Sequence, residues 1–192
     1  DVQIKVLFYG RQDREINEFK VNSSQIEYVN IHLGVTLKRY FGRVIKLIMM
    51  LNMPYLLYLL PKIRIMLRFY RDADYILCAP GGMNLGGFQD WIHQAFLNLA
   101  MYEHKEIIYY GRSIGPFSET TYLNRLFKKN SERLLKYFGY VSLRDAKSQS
   151  IAKKLRIKYT PTIDSAFLVE TKTDIPRFFV EKMNEDPYII FV

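Results

Sequence analysis

The stretch that decides the fold is DYILCAPGGMNLGGFQD, residues 74–90. Its first part, Tyr75–Ala79, is an apolar run with the length of a buried strand. The run ends at Pro80, and four of the chain's ten glycines then follow within seven residues, just before a helical pattern begins. Ligands of open α/β sheets bind at such turns, because glycine lets backbone amides approach a ligand and a helix N-terminus favours anions. The stretch therefore predicts an α/β fold and a candidate ligand loop, although the same pattern occurs in α/β domains without a ligand.

Strands and helices alternate along the rest of the chain. Short apolar runs predict strands at residues 3–8, 27–31, 75–79, 106–110, 140–143, 159–163 and 188–192. Helical periodicity predicts helices at residues 38–52, 55–71, 88–103, 119–137, 145–155 and 176–184. Short connections join these elements from residue 75 onward, so we predict an α/β domain with a Rossmann-like parallel sheet and helices on both faces. We expect this domain to span residues 1–175.

Composition and motifs exclude several kinds of site. The one cysteine, Cys78, excludes a disulfide framework and a thiolate-rich metal site, and its apolar neighbours predict that it is buried. His32, His93 and His104 do not have metal-ligand spacing. The sequence also has no nucleophile elbow, phosphate-binding lysine motif or zinc pattern. We therefore predict no metal site, and we expect each histidine to have a structural or surface role.

The net charge of +9 is concentrated in residues 38–71, which hold eight basic residues and no acidic one. An apolar run within this segment, residues 44–60, is short for a transmembrane helix and contains Pro54. Two sets of basic residues have i, i+4, i+7 spacing and form stripes on helix faces: Arg39, Arg43 and Lys46, then Arg64, Arg68 and Arg71.

Two interpretations of this basic helical insertion stay open. A helix with basic and apolar faces suits the surface of an anionic membrane. A helical hairpin packed on the core, with its arginines reaching water, has the same pattern. Nucleic acid is the least favoured partner, because the basic residues alternate with Leu and Met and not with groups that read bases.

Three further strand ends carry residues that suit a binding site. The predicted strand 106–110 precedes Arg112, Ser113 and Gly115. The predicted strand 140–143 precedes Arg144, and the predicted strand 159–163 precedes Asp164. The carboxyl ends of parallel strands meet at one edge of a sheet, so we expect these residues to line one cleft with Gly81 and Gly82. Structural roles remain open beside this: Asp145 suits a helix N-cap, Arg144 can pair with Asp145 or Asp164, and Gly115-Pro116 can be a simple turn.

The turns have the order and spacing of a known family. Four turns carry the resemblance: the glycine turn at residues 81–87, then GRSIGPF at 111–117, VSLRDAKS at 141–148 and DSAF at 164–167. Together they resemble the polysaccharide pyruvyl transferases. The resemblance is good over residues 72–170 and poor in the preceding basic segment. It implies one Rossmann-like half of a two-domain, GT-B-like architecture. It also implies an enzyme that transfers the pyruvyl unit of phosphoenolpyruvate to a sugar hydroxyl of a cell-surface polysaccharide as a ketal, with no cofactor.

The resemblance implies roles for individual residues. Arg144 and Asp164 are the candidate catalytic residues, Arg144 for the anionic groups of phosphoenolpyruvate and Asp164 for proton transfer. The candidate substrate-binding residues are Gly81, Gly82, Asn84, Asp90, Arg112, Ser113 and Gly115. The expected partners are phosphoenolpyruvate and a saccharide acceptor, which a lipid at the cytoplasmic face of the membrane can carry. The alternatives are a GT-B-type glycosyltransferase using a nucleotide sugar and a non-catalytic module that binds a membrane surface.

Both ends of the chain fall beside predicted strands. Asp1 directly precedes the first strand, and the chain ends within the last one. We therefore expect a fragment that begins at the family's second strand. Residues 176–192 would be a linker and the first strand of a second domain, and the chain by itself would be inactive.

Overall fold

The computed structural model describes residues 3–9, 23–31, 35–82, 85–164 and 167. Strands and helices alternate through most of these residues. In chain order they are β1 (Ile4–Tyr9), β2 (Ile26–Ile31), α1 (Val35–Met50), a 3-10 helix (Pro54–Leu59), α2 (Pro61–Asp72), β3 (Tyr75–Cys78), α3 (Trp91–Tyr102), β4 (Glu106–Arg112), α4 (Tyr122–Tyr137), β5 (Tyr140–Leu143), α5 (Ala146–Lys154) and β6 (Thr160–Pro161).

Every strand pair within the described residues is parallel. Strands β3, β4, β5 and β6 form a four-stranded sheet in chain order, while β1 and β2 pair with each other in a second sheet. The carboxyl ends of β3 to β6 therefore lie along one edge, as the order of elements predicted. This confirms the α/β, Rossmann-like class. The GT-B-like two-domain arrangement and the domain boundaries stay predictions, because the strand and helix expected after residue 175 lie outside the described residues.

The core lies between the four-stranded sheet and its helices. Tyr109 of β4 is fully buried and stacks on Phe138 with 5.3 Å between ring centroids. Trp91 of α3 meets Phe127 of α4 edge to face at 5.0 Å. Cys78 is buried at the end of β3, as predicted, and burial raises the pKa of its thiol to about 11. A thiol in such surroundings is a packing group and not a nucleophile.

A buried polar ladder fixes α3 against α4. The side chain of Gln94 donates to the Ser131 hydroxyl at 2.9 Å and to the Phe127 carbonyl at 3.0 Å. Asn98, one turn further along α3, accepts a hydrogen bond from Arg133 at 2.5 Å. Buried amides are costly unless they are paired, so these bonds specify one register between the two helices.

The basic segment folds as two α-helices and the 3-10 helix between them, and all three pack on the core. Helix α1 buries Ile45, Ile48 and Met49, as the core-hairpin interpretation expected. The prediction of one continuous helix over residues 55–71 is wrong. Leu60 is extended, and α2 restarts with Pro61 at its first position. The reason is that proline lacks an amide hydrogen and disfavours helical backbone in the preceding residue.

Arg71 ties α2 to α3 through an ion pair. Its guanidinium donates to the Glu103 carboxylate at 2.7 and 3.2 Å, and the Tyr58 hydroxyl donates to the same carboxylate at 2.8 Å. The hydrogen bond from Arg71 lowers the pKa of Glu103 against the opposing effect of burial. Burial, followed by the bond to Glu103, raises the pKa of Tyr58 to about 12. Arg71, one of the predicted basic stripe, is therefore a structural cation.

The helices of the described residues are short for a membrane span. Helix α1 has 16 residues, whereas a span needs about 20 apolar ones. Among the residues that the structure describes, no helix is both long enough and apolar enough to cross a membrane.

The glycine turn pairs with the turn that follows β4. The Gly115 amide donates to the Leu85 carbonyl at 2.9 Å, and Gly87 donates back to the Gly115 carbonyl at 3.3 Å. The approach is so close that a Cβ added at Gly86 would lie 2.3 Å from the Gly115 nitrogen. Gly86 also has a φ of +153°, which side-chain-bearing residues rarely adopt. Gly86 therefore allows the glycine turn to lie in close contact with the turn at Gly115.

Changing Gly86 to Ala is expected to lower the free energy of unfolding by at least about 2 kcal/mol, because the new methyl group displaces the Gly115 backbone. Urea unfolding followed by circular dichroism measures this. Gly82→Ala is the matched control in the same turn: apart from its chain neighbours, no described residue lies within 4 Å of the added Cβ, so a change below about 0.5 kcal/mol is expected. Equal losses in the two variants would contradict the packing argument.

Candidate functional site

Arg144 joins three strand ends at the carboxyl edge of the sheet. It directly follows β5, and its Nε donates to the Ser113 hydroxyl, after β4, at 3.2 Å. Its Nη1 donates to the Asp164 carboxylate, which follows β6. The structure thus brings together Ser113, Arg144 and Asp164 as the sequence predicted. Arg144 and Asp164 also form the structural ion pair that the sequence left open as an alternative.

These side chains open onto a cavity of about 390 Å³. Its volume is within the usual range of small-molecule sites, about 300–1,000 Å³. The lining combines one cation, two carboxylates and a hydroxyl with an apolar rim: Ser113, Arg144, Asp145, Ile163, Asp164 and Phe167. A site with this lining suits a small polar ligand that has a short apolar part.

Asp145 is the charged lining residue that sequence reasoning did not assign to the site, and the apolar Ile163 and Phe167 were not assigned to it either. It is the N-cap of α5, as predicted, and accepts from the Ser148 amide and hydroxyl, both at 2.7 Å. Burial favours a higher pKa for Asp145, but hydrogen bonds from Ser148 and Ser113 and the charge of Arg144 outweigh it and lower the pKa. Asp145 thus stays ionised and holds Ser113 toward Arg144. Its position within a few residues of a strand end, like that of Asp164, was a usable signal.

Arg112 lies beneath the glycine turn. Its side chain is 8% exposed, and its guanidinium donates to the Ala79 carbonyl at 2.6 Å and to the Gly82 carbonyl at 3.4 Å. The same group lies 5.3 Å from the ring centroid of Tyr109, a favourable cation–π distance. Arg112 therefore fixes the position of the glycine turn.

The remaining predicted residues lie around the glycine turn and not in the cavity lining. Gly81 forms a bridge to Arg112, and Gly82 is exposed. Asp90 is the N-cap of α3 and accepts from the amides of residues 92 and 93 at 3.1 and 2.9 Å. Gly115 is buried against the turn. Asn84 lies outside the described residues.

His93 is buried beside these groups. Burial and the nearby charge of Arg112 lower its pKa to about 4, against the opposing charge of Asp90. Its Nε2 has no hydrogen-bond partner among the described residues. The imidazole is therefore neutral near pH 7. Across the described ranges, His, Cys, Asp and Glu side chains form no group of three or more that could hold a metal ion.

The profile of the polysaccharide pyruvyl transferase family matches residues 9–188. The chain belongs to that family. It is therefore an enzyme of the pyruvyl transferase class, with a saccharide as the acceptor that this class implies. The match includes the basic segment, so the expected limit of the resemblance to residues 72–170 was too narrow. It gives no support to the expectation that both ends are cut. The chain has no match among curated proteins or solved structures.

Acidification is expected to destabilise the protein through His93. The folded state keeps His93 neutral down to about pH 4, whereas the unfolded chain takes up a proton below about pH 6.5. Stability is therefore fully present above pH 6.5 and falls, by on the order of 2–3 kcal/mol, as the pH approaches 4. Urea unfolding at intervals across this range measures the slope.

His93→Gln is expected to flatten that slope, because the amide does not titrate. His104→Gln is the matched control, since His104 is exposed and should leave the slope unchanged. Asp145 acts in a separate window: its stabilising contribution is lost only as the pH falls below about 3.8. Identical slopes for His93→Gln and the unmodified protein would refute the buried neutral imidazole.

Proposed function

We propose that the cavity at Arg144 binds phosphoenolpyruvate. The enzyme then transfers the pyruvyl unit of this donor to hydroxyls of a saccharide, forming a ketal. The observation that carries the proposal is the joining of Ser113, Arg144 and Asp164 at one sheet edge in a member of a pyruvyl transferase family. The Arg144 guanidinium lines the cavity, and the Asp164 carboxylate lies directly beside it. No cofactor is part of this proposal.

Arg144 supplies the recognition of the donor. Phosphoenolpyruvate carries a phosphate and a carboxylate on three carbons, and a guanidinium binds such groups with paired, charge-assisted hydrogen bonds. Among the described residues Arg144 bonds to Ser113 and Asp164, which engage two of its five N–H groups. The other N–H groups can bind the donor while Ser113 and Asp164 hold the guanidinium in place. Gly82 is exposed, so the backbone at Gly81 and Gly82 can offer further amide donors, and Asn84 stays a candidate for binding the donor. Asp90 and Gly115 are proposed to support the site from the glycine turn, since the Asp90 carboxylate caps α3 and the Gly115 amide already donates to Leu85.

The reaction adds two acceptor hydroxyls to C2 of the donor. A proton goes to the methylene carbon, which becomes a methyl group, and C2 becomes electrophilic. One hydroxyl oxygen attacks C2, the bond from C2 to the phosphate oxygen breaks, and the second hydroxyl closes the ketal. Of the two hydroxyl protons, one balances the proton gained by the methylene carbon and the other leaves with inorganic phosphate. A carboxylate near C2 is needed to carry these protons.

Asp164 is the carboxylate that we assign to proton transfer. Asp145 lines the same cavity, but bonds from Ser148 and Ser113 occupy its oxygens and lower its pKa, which makes it a poor proton donor. Asp164 is about one-third exposed and has Arg144 on one oxygen. The two carboxylates therefore divide the work: Asp145 orients Ser113, and Asp164 moves the proton.

The acceptor in this proposal is a saccharide carried by a lipid at the cytoplasmic face of the membrane. The support is the charge distribution, since eight basic residues and no acidic one lie in residues 38–71. Anionic lipids attract such a segment. The enzyme would then be a peripheral protein at that face.

Arg144→Gln is expected to weaken phosphoenolpyruvate binding about 100-fold, because two charge-assisted hydrogen bonds are lost. The readout is the shift of the unfolding temperature as the donor is titrated, which needs no turnover. Arg125→Gln, on the surface of α4, is the matched control and should retain the shift. Stabilisation by nucleotide sugars with none by phosphoenolpyruvate would favour the glycosyltransferase alternative.

Asp164→Asn is expected to reduce ketal formation by 10²-fold or more, because the amide cannot exchange a proton, while donor binding persists. Ketal product is measured by mass spectrometry with a galactose- or mannose-containing acceptor. Asp74→Asn replaces an exposed carboxylate before β3, at the opposite edge of the sheet, and should retain full activity. Full activity in Asp164→Asn would exclude this residue from proton transfer.

A further inference from the structure

Helix α1 has two apolar faces, and one of them is exposed. Ile45, Ile48 and Met49 fill the core. A second apolar row with i, i+4, i+7, i+11 spacing faces outward: Tyr40, Val44 and Leu47 of α1 and then Leu51, one residue past its end, whose amide still donates to the Leu47 carbonyl. Tyr40 is 61% exposed, and Leu47 and Leu51 are each 55% exposed. Residues with this spacing lie on one side of a helix, so they form a continuous apolar stripe, which soluble surfaces rarely present.

A row of cations borders this exposed stripe. Arg43 and Lys46 are both exposed and precede Val44 and Leu47 by one position each. Successive helical residues are turned by about 100°, so both cations lie on the same flank of the stripe. The sequence supplies no acidic residue between positions 38 and 71 to neutralise them.

The apolar surface continues past the end of α1. Met53, Tyr55 and Leu59, in and before the 3-10 helix, are also exposed, and Leu59 is the most exposed of the three. The side chains are large and the backbone is ordered into helices, so the surface is pre-formed. An apolar band edged by cations on one side complements the boundary between lipid headgroups and acyl chains.

We propose that α1 lies along the surface of an anionic membrane, with Tyr40, Val44, Leu47 and Leu51 in the acyl boundary and Arg43 and Lys46 on lipid phosphates. This specifies the membrane contact in the proposed function, and it rests on that part of it alone. Helix α1 is too short to span, and its opposite face is held by the core, so it binds in the plane of the interface. The arrangement sets the orientation of the whole domain on the membrane.

Co-sedimentation with lipid vesicles tests the proposal without any substrate. The protein should bind vesicles of phosphatidylcholine that contain about 30% of the anionic lipid phosphatidylglycerol, and it should bind vesicles of pure phosphatidylcholine far less. Arg43→Gln and Lys46→Gln together should weaken binding about 20-fold, from about fivefold for each cation. Lys129→Gln with Lys153→Gln removes the same charge from exposed positions on α4 and α5 and should have little effect.

The apolar stripe is tested separately from charge. Leu47→Ser should weaken binding about tenfold, whereas Tyr122→Ser, at another exposed apolar position, should not. Equal recovery on neutral and anionic vesicles, or no effect of Leu47→Ser, would overturn the proposal. A concentration-dependent dimer in light scattering that Leu47→Ser abolishes, without vesicle binding, would also overturn it and assign the stripe to a second copy. Stabilisation by phosphoenolpyruvate is measured without vesicles. Failure of vesicle binding and failure of donor binding can therefore be told apart.

Discussion

The buried turn at residues 111–115 is the connection on which the rest of this structure depends. On one side Arg112 holds the glycine turn after β3, and Gly115 exchanges backbone hydrogen bonds with it. On the other side Ser142 accepts from the Gly111 amide at 2.8 Å, and Ser148 accepts from the Ile114 amide at 2.9 Å. A buried loop must satisfy its own polar groups, and here β5 and the first turn of α5 supply the partners. The cleft is rigid because its central wall is bonded on both sides.

This connection also separates two arginines that look equivalent in the sequence. Arg112 and Arg144 both follow predicted strands, and both were candidates for binding an anion. The guanidinium of Arg112 is turned inward onto backbone carbonyls, so its charge organises the turn. Arg144 has a carboxylate and a hydroxyl as partners and faces the cavity. Arg112 holds the glycine turn in place, and Arg144 lines the cavity.

The basic segment shows a similar division between core and surface. The core-hairpin and membrane-surface interpretations were alternatives in the sequence, yet α1 has a face suited to each. Arg71 belongs to the core side, because Glu103 pairs with it from α3. Arg43 and Lys46 belong to the surface side, beside an apolar stripe. A helix needs only about a third of its circumference to pack on a core, which leaves the rest available for another partner.

The sequence by itself determined the class of fold, the parallel order of β3 to β6 and the edge at which functional groups gather. Local patterns suffice for this, since apolar runs and turn residues act over a few positions and parallel strands end on the same side. It also determined the family, through the order of four turns. Only the tertiary structure decided which groups are free to act. Asp145 enters the cavity, Arg112 turns away from it, and the chain restarts its helix at Pro61. These outcomes depend on contacts between residues some 30 positions apart, such as Arg144 with Ser113, and no local pattern encodes such a contact.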